Sequence, residues 1–461
     1  MKSPINVVIL AAGLGTRMKS KHAKVLHRAG GLTLVEHVVN AATGLTPAEH
    51  VTVVVGSQAE QVKASLAHTG VQFVEQKEQK GTGHALLMCR DALVSQGGLV
   101  VVTNGDGPLL SRATLRQLVD RQASSDGAAT LITTRLADPT GYGRIIQGKD
   151  GEVQAIVEQK AATPQQLAIP LINSGIYCFR ADLLWKHISE IGTDNPAREY
   201  YLTDIVEILN RAGHKVAPLE VSDSRELLGI NTRAELAVVD QIFRERKVRE
   251  LMLEGVTIEK PETVTIDGGV RIGADSLVGP FAQILGQSEI GEDCSIGACS
   301  IIENSKLADR VQVAPFTSVA DSQVEAEAKI GPFARLRSGN RVGARARIGN
   351  FVELKNTKVG TRAKANHLAY LGDAEIGDET NIGAGTITCN YDGVQKHRTL
   401  IGKDAFVGSN STLVAPIQIG DGSYIGAGSV ITDLVPEKAL ALGRARQVVK
   451  EGWAAKRKKK K

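Results

Sequence analysis

The sequence predicts an α/β domain followed by a parallel β-helix, and three observations carry that expectation. Short apolar runs alternate with helix-like segments up to about Leu228. One long stretch free of Gly and Pro follows, and beyond it aliphatic residues recur at every sixth position. At 461 residues the chain is also longer than one hydrophobic core usually serves, which favours separate domains.

In the first half, residues 5–11, 51–55, 72–74, 99–103 and 130–133 read as strands, with 34–42, 59–66, 83–93 and 113–122 helical between them. Strands alternating with helices imply a mostly parallel sheet, whose ligands bind at the carboxyl ends of the strands. Residues 232–254 follow as a connecting helix, on which Leu236, Val239, Phe243 and Leu251 can share a face.

The repeat of six begins after that helix. It runs through Ile272, Val278, Ile284, Ile290, Ile296 and Ile302, then Ile330, Leu336, Val342, Ile348 and Leu354, then Ile401, Val407, Leu413, Ile419, Ile425 and Ile431. Neither a helix (3.6 residues per turn) nor a strand (period 2) produces that spacing. Three short strands per coil do, each turning one aliphatic side chain inward while Gly and small residues make the corners. Residues 389–400, CNYDGVQKHRTL, interrupt the period and predict a loop thrown outward from a corner, where binding sites tend to be built. The expected boundaries are 1–230 for the α/β domain, 231–254 for the helix, 255–437 for the β-helix and 438–461 for the C-terminal segment.

Composition excludes several classes of function. Hydrophobic residues make up 42% of the chain, yet no run nears the roughly 20 apolar residues of a membrane span. The start reads as a first strand, not a signal peptide. Five scattered cysteines without a CxxC pair argue against a disulfide framework and a zinc site, and suit a cytoplasmic protein. The net charge is +5, but residues 456–461 carry +6, leaving the rest at −1. The basic balance is therefore a solvated tail, not a nucleic-acid-binding face.

The loop Leu10-Ala11-Ala12-Gly13-Leu14-Gly15-Thr16-Arg17-Met18 follows the first strand and can offer backbone N–H groups to phosphate. A dinucleotide fingerprint would need a third Gly where Met18 stands, and a P-loop would need GxxxxGK[ST], which is absent. With Lys24 downstream, the segment resembles the nucleotidyltransferases that join a nucleoside triphosphate to a sugar 1-phosphate. Further segments match that family in order: Gln76 with Gly81-Thr82-Gly83-His84-Ala85, Gly105-Asp106, Gly141-Tyr142-Gly143, Ile156-Val157-Glu158, Ile172-Asn173-Ser174-Gly175 and Gly229-Ile230-Asn231. The resemblance implies a Rossmann-like fold with a UTP and UDP-sugar site. Its residues are Leu10, Ala11, Ala12, Gly13, Lys24, Gln76, Gly81, Thr82, Asn104, Gly105, Asp106, Gly143, Glu158, Asn173 and Asn231. Arg17 and Lys24 would be catalytic, and Asp106 and Asn231 would hold Mg²⁺. Two anions meet in such a reaction, so cations and a metal suit it. The chain departs from the family at Ala23, where Pro commonly stands, and at Asn104 and Gly107, where relatives often carry bulkier residues.

The second half resembles the hexapeptide-repeat acyltransferases, which implies a left-handed coil, a homotrimer and acetyl-CoA bound between neighbouring solenoids. Residues 332–337, 349–355, 366–373 and 381–393 are similar to the acetyltransferase half of bifunctional N-acetylglucosamine-1-phosphate uridyltransferase/glucosamine-1-phosphate acetyltransferase, and with the first half the likeness covers nearly the whole chain. It implies that His367 is the general base toward the amino group of glucosamine 1-phosphate. A histidine suits that task near neutral pH. Arg337, Lys355, Tyr370 and Asn381 would hold the sugar phosphate, with Glu353 in support. Ala384, Asn390, Tyr391, Ser409, Ala427 and Arg444 would line the acetyl-CoA site. Two rivals stand beside this: a pyrophosphorylase whose β-helix only oligomerises, and a nucleotide-sensing assembly subunit. His367 and the loop at 389–400 oppose the first, and the intact glycine loop with Asp106 opposes the second.

Overall fold

The computed structural model describes residues 4–458. The expectation of a solvated basic tail falls partly on 459–461, which lie outside the described residues. The chain divides into two compact units, Met1–Gln241 and Ile242–Lys461.

The first unit is built on one sheet. Strands β1 (Ile5–Leu10), β2 (Val51–Val55), β3 (Gln72–Glu75) and β4 (Leu99–Asn104) lie parallel in the order β4-β1-β2-β3. Then come β5 (Ala129–Arg135), the hairpin of β6 (Arg144–Gln147) and β7 (Val153–Val157), β8 (Leu171–Arg180) and β9 (Val216–Glu220). β8 is antiparallel to both β4 and β5, and β9 lies parallel to β5 at the far edge. The sheet is thus more mixed than the alternation of strands and helices suggests.

Both faces of the central strands are covered. Val8, Val54, Val100 and Val102 belong to one buried cluster, while Val7, Ile9, Val53, Val55 and Val101 belong to the other. Side chains alternate across a strand, so burial on both sides demands an unbroken apolar run such as VTVVV. Helix α1 (Leu34–Thr43) starts at a capping box: Thr33 accepts from the Glu36 N–H, and the Glu36 carboxylate caps Thr33 in return. α2 (Ala59–Leu66) holds the expected bounds. The segment read as one helix over 83–93 is two, α3 (Thr82–Leu87) and α4 (Arg90–Leu93), because the Cys89 N–H turns to Leu86 O and tightens the turn between them. α5 (Arg112–Ala123) is capped by Ser111.

Strands β6 to β9 carry weaker signals. In β8 the Asn173-Ser174-Gly175 motif interrupts the apolar run, and the register against β5 shifts between Asn173 and Tyr177 as a bulge. The Asn173 amide donates to the Tyr177 hydroxyl at 2.9 Å, and Ser174 Oγ donates to Ile132 O at 2.8 Å. Helix α6 (Arg233–Leu253) follows, and the boundary between the units falls within it.

The second unit is a β-helix of three parallel sheets with 11, 10 and 9 strands. The first face runs from Thr257–Ile258 to Leu440–Ala441, the second from Thr265–Ile266 to Val430–Ile431, and the third from Arg271–Ile272 to Ile417–Ile419. Aliphatic residues of the six-residue repeat form one buried column after another. Corner serines close the turns with their own hydroxyls: Ser411, Ser423 and Ser429 donate to the carbonyls of Gly408, Gly420 and Gly426 at 2.6, 2.7 and 2.6 Å.

The three runs of the repeat belong to one continuous solenoid. Val278 pairs with Ile296, 18 residues on, whereas Ile296 pairs with Val313 after only 17. Leu307, Val313, Val319 and Val324 fill the inward positions between Ile302 and Ile330. A corner shortened by one residue shifts the sequence period without breaking the stack. At the interruption Ile376 pairs with Ile401, 25 residues on, and the extra residues stand out as a loop.

Candidate functional sites

In the first unit, the carboxyl ends of β1, β3 and β4 border a cleft of about 430 Å³. Leu10, Ala11, Ala12, Gly13, Arg17 and Lys24 line it, as do Gln76, Gly81, Thr82, Asn104, Asp106 and Asn231. Gly105 sits behind them, its N–H donating to Leu10 O at 2.9 Å, which ties the end of β4 to that of β1. Gly15, at φ 61°, has a left-handed backbone, and a Cβ there would lie 2.6 Å from Lys24 Cβ. The loop therefore needs glycine at that position to seat the lysine.

Lys24 Nζ forms a close ion pair with Asp106 and donates to Asn231 Oδ1 at 3.2 Å; Arg17 Nη2 donates to the same oxygen at 2.8 Å. Asp106 and Asn231 are brought together because the Ile230 N–H donates to Asp106 O. Glu235, at the start of α6, accepts from the N–H groups of Asn231 and Thr232. Two hard oxygens thus converge on one cationic nitrogen, and oxygen donors of this kind are the ones a small divalent cation prefers. Among the described residues no cluster of three or more His, Cys, Asp and Glu could hold a metal, so substrate oxygens would have to complete such a site.

Ala23 has a local explanation. Its N–H donates to Gln58 Oε1 at 2.9 Å while Gln58 Nε2 donates to Lys21 O at 2.6 Å. A proline at 23 could not make the first of these bonds. Asn104 faces the cleft, and a Cβ at Gly175 would lie 2.5 Å from its Nδ2. Gln79 and Glu199 also border the cleft and were not singled out from the sequence.

Gly143, Glu158 and Asn173 gather as a second cluster. The Asn173 N–H donates to Gly143 O at 2.9 Å, and the Glu158 carboxylate lies 3.5 Å from where a Gly143 Cβ would stand. Burial pushes the Glu158 carboxyl up, and the Asp204 charge adds to the rise.

In the β-helix, His367 lies at a corner between the first and second faces, with Nδ1 2.6 Å from Asn350 Oδ1 one coil below. An amide oxygen only accepts, so in the neutral ring Nδ1 carries the proton and Nε2 keeps its lone pair. Asn350 was not singled out; its place in Gly349-Asn350-Phe351 is the one signal it leaves in the sequence. On the second face Glu353 pairs in register with Tyr370, and Arg337 Nη1 meets Glu353 Oε1 at 3.1 Å. Lys355 stands beside Lys396 from the period-breaking loop. The Lys396 ammonium, with Arg337 nearby, holds the Lys355 amine below the usual lysine range. Such crowding of cations favours an anion beside them. Lys396 also escaped the sequence reading, because its neighbours come from coils distant in the chain. Asn381 is not brought to this group: it pairs with Lys364 on the first face.

Asn390, buried at the base of the loop, donates to Asp373. The loop itself is organised by Asp392, which accepts from the N–H groups of Val394 and Gln395 and pairs with His397 at 2.7 Å. Those bonds hold the Asp392 carboxyl well below the usual carboxylate range. Tyr391 projects outward, its hydroxyl donating to Gly393 O at 2.6 Å. Ala384, Ser409 and Ala427 stack at one corner: the Asn410 N–H donates to Ala384 O, the Gly428 N–H to Ser409 O, and Arg444 Nη1 to Ala427 O at 3.0 Å. His367 and Arg337 are exposed and Lys355 is half-buried, whereas Arg17, Lys24, Asp106 and Asn231 share a cleft.

Comparison with known proteins adds independent findings. The model of the MobA-like NTP transferase domain matches residues 7–166, and that of the bacterial transferase hexapeptide (six repeats) matches 269–304 and 398–433. The protein named bifunctional protein GlmU of Solibacter usitatus (strain Ellin6076) is 59% identical over 459 residues, spanning 100% of this chain and 98% of the relative. Its namesake in Koribacter versatilis (strain Ellin345) is 51% identical, spanning 98% of this chain and 97% of the relative. That of Anaeromyxobacter sp. (strain Fw109-5) is 48% identical, over 99% and 93%. With identity of this order sustained across both units, the chain belongs to the GlmU family of bifunctional proteins.

Proposed function

We propose that this enzyme acetylates glucosamine 1-phosphate with acetyl-CoA and then transfers UMP from UTP to the resulting N-acetylglucosamine 1-phosphate, releasing pyrophosphate. The observation that carries the reading is the meeting of Arg17, Lys24, Asp106 and Asn231 in one cleft at the carboxyl ends of β1 and β4.

In the first unit, residues 1–230 bind UTP, with the backbone of 10–13 against the phosphates and Gln76, Gly81 and Thr82 at the base. Gly143, Glu158 and Asn173 hold the sugar phosphate. Arg17 and Lys24 stabilise charge as the sugar phosphate oxygen attacks the α-phosphorus and pyrophosphate departs. Asp106 and Asn231 would hold Mg²⁺, which supplies charge neutralisation to the phosphate oxygens. No covalent intermediate is required, so positioning and electrostatics do the catalysis.

In the β-helix, residues 255–437, His367 Nε2 takes the proton from the amino group as the nitrogen attacks the thioester carbonyl. Arg337, Lys355 and Lys396 bind the phosphate, and Tyr370 the sugar. Ala384, Asn390, Tyr391, Ser409, Ala427 and Arg444 receive acetyl-CoA. Neighbouring copies in a homotrimer complete the site. Among the described residues no helix is long and apolar enough to cross a membrane. A cytoplasmic location suits both substrates.

A paired assay tests the whole reading: thiol release with glucosamine 1-phosphate and acetyl-CoA, and pyrophosphate release with N-acetylglucosamine 1-phosphate and UTP. Both should proceed in the full-length protein, and the absence of either would remove the corresponding site.

A further inference from the structure

We infer that His84 is a positioning residue for nucleobase selection, locking the Gln76 carboxamide so that it can only accept a hydrogen bond from the base. The inference rests on the proposed uridylyl transfer and deepens it.

Gln76 follows β3 directly and is 3% exposed, yet it borders the cleft. Its Nε2 lies 3.1 Å from Gly81 O and 3.0 Å from His84 Nδ1. A backbone carbonyl can only accept, so the nitrogen end of the carboxamide must be the one facing Gly81. Both N–H bonds of that nitrogen are then spent, one on Gly81 O and one on the His84 ring. His84 must offer its Nδ1 lone pair, which places the ring proton on Nε2. Among the described residues no donor meets Gln76 Oε1, so the oxygen is the group left for a ligand.

The two groups that fix the amide are themselves fixed. Gly81 has φ 111°, and a Cβ there would come within 2.5 Å of Tyr200 O, so its carbonyl cannot easily turn. His84 lies in the first turn of α3, its ring 6.1 Å from that of Tyr200, and it is not among the residues bordering the cleft. It therefore acts through Gln76.

The consequence is chemical. Uracil presents an N3–H donor between two carbonyls, whereas cytosine presents a bare N3 lone pair beside an amino group. A fixed oxygen acceptor pairs with the first and repels the second at N3. Without His84 the amide can rotate and show its NH₂ to the base, and the discrimination weakens.

The test compares UTP with CTP as substrates of the full-length protein, following pyrophosphate release with N-acetylglucosamine 1-phosphate. His84→Phe keeps a ring beside Tyr200 but lacks the acceptor, and should lower the UTP-to-CTP ratio of kcat/KM by about tenfold, mostly through KM. His84→Asn, whose side-chain oxygen can stand near the Nδ1 position, should restore most of it. Should His84→Phe not fold, His84→Leu serves the same comparison. An unchanged ratio in a folded variant, or an equal loss with both nucleotides, overturns the role of His84. Absence of pyrophosphate release by the wild-type protein with either nucleotide overturns instead the uridylyl-transfer reading beneath it, and is seen before any variant is made.

Discussion

The two candidate sites are built in opposite ways. In the α/β unit a cleft gathers its groups from the ends of adjacent strands, and the Lys24–Asp106 pair is shielded, with side chains 15% and 20% exposed. In the solenoid, His367 and Arg337 are exposed and Lys355 is half-buried, and Asn381 lies on a different face from Arg337. A sheet with helices on both sides gathers its candidate groups at the strand ends in one cleft, whereas those of the solenoid are spread along its coils.

The largest expected effects test whether the sites are separate. His367→Ala should lower acetyl transfer by about 10²–10⁴-fold, the usual share of a general base, and leave uridylyl transfer from supplied N-acetylglucosamine 1-phosphate intact. Asp106→Ala should do the reverse. Loss of both activities in either folded variant would break the comparison.

Dilution sharpens it next. If neighbouring copies complete the solenoid site, acetyl transfer per subunit should fall as the protein is diluted through its dissociation range, while pyrophosphate release holds. Light scattering on the same samples supplies the assembly state, and equal decline of both rates would contradict the contrast.

A smaller effect concerns the second cluster of the α/β unit. Glu158 is held above the ordinary carboxylate range by burial first and by Asp204 second. A raised carboxyl protonates at higher pH, so affinity for the sugar phosphate should fall with acidification earlier than an ordinary glutamate would allow. Asp204→Asn lessens the rise and should move that limb of the KM profile toward lower pH. An unmoved limb would dissociate Glu158 from binding.

The smallest change is Ala23→Pro. It removes the bond to Gln58 Oε1, costing about 1 kcal/mol, while Ala23 at φ −55° already suits proline. Proline also stiffens the unfolded chain, which offsets part of that cost. Thermal melting should shift by a few degrees at most, and a collapse of stability would show that Gln58 does more than clamp this loop.

Much of this was legible in the residues. Apolar runs buried on both faces marked β1, β2 and β4, because burial on two sides leaves no room for polar alternation. The spacing of six announced the solenoid, since each coil buries the same position. Less legible were β6 to β9. A bulge at Asn173 breaks the pattern in β8, and the mixed direction of the sheet depends on pairings between distant segments. The spacing also reads as three runs, where single residues dropped from several corners hide a continuous stack.

For the sites, the glycine loop, Lys24, Asp106 and His367 are named from short segments that resemble known families, and the structure brings Lys24 and Asp106 together in one cleft. Residues that act through contacts across the fold could not be read that way. Gln58 clamping Ala23, Asn350 orienting His367 and Lys396 crowding Lys355 each join positions from separate segments. Local propensity and periodicity are properties of neighbours in sequence, but hydrogen bonds and charge coupling depend on neighbours in space, and those exist only once the chain has folded.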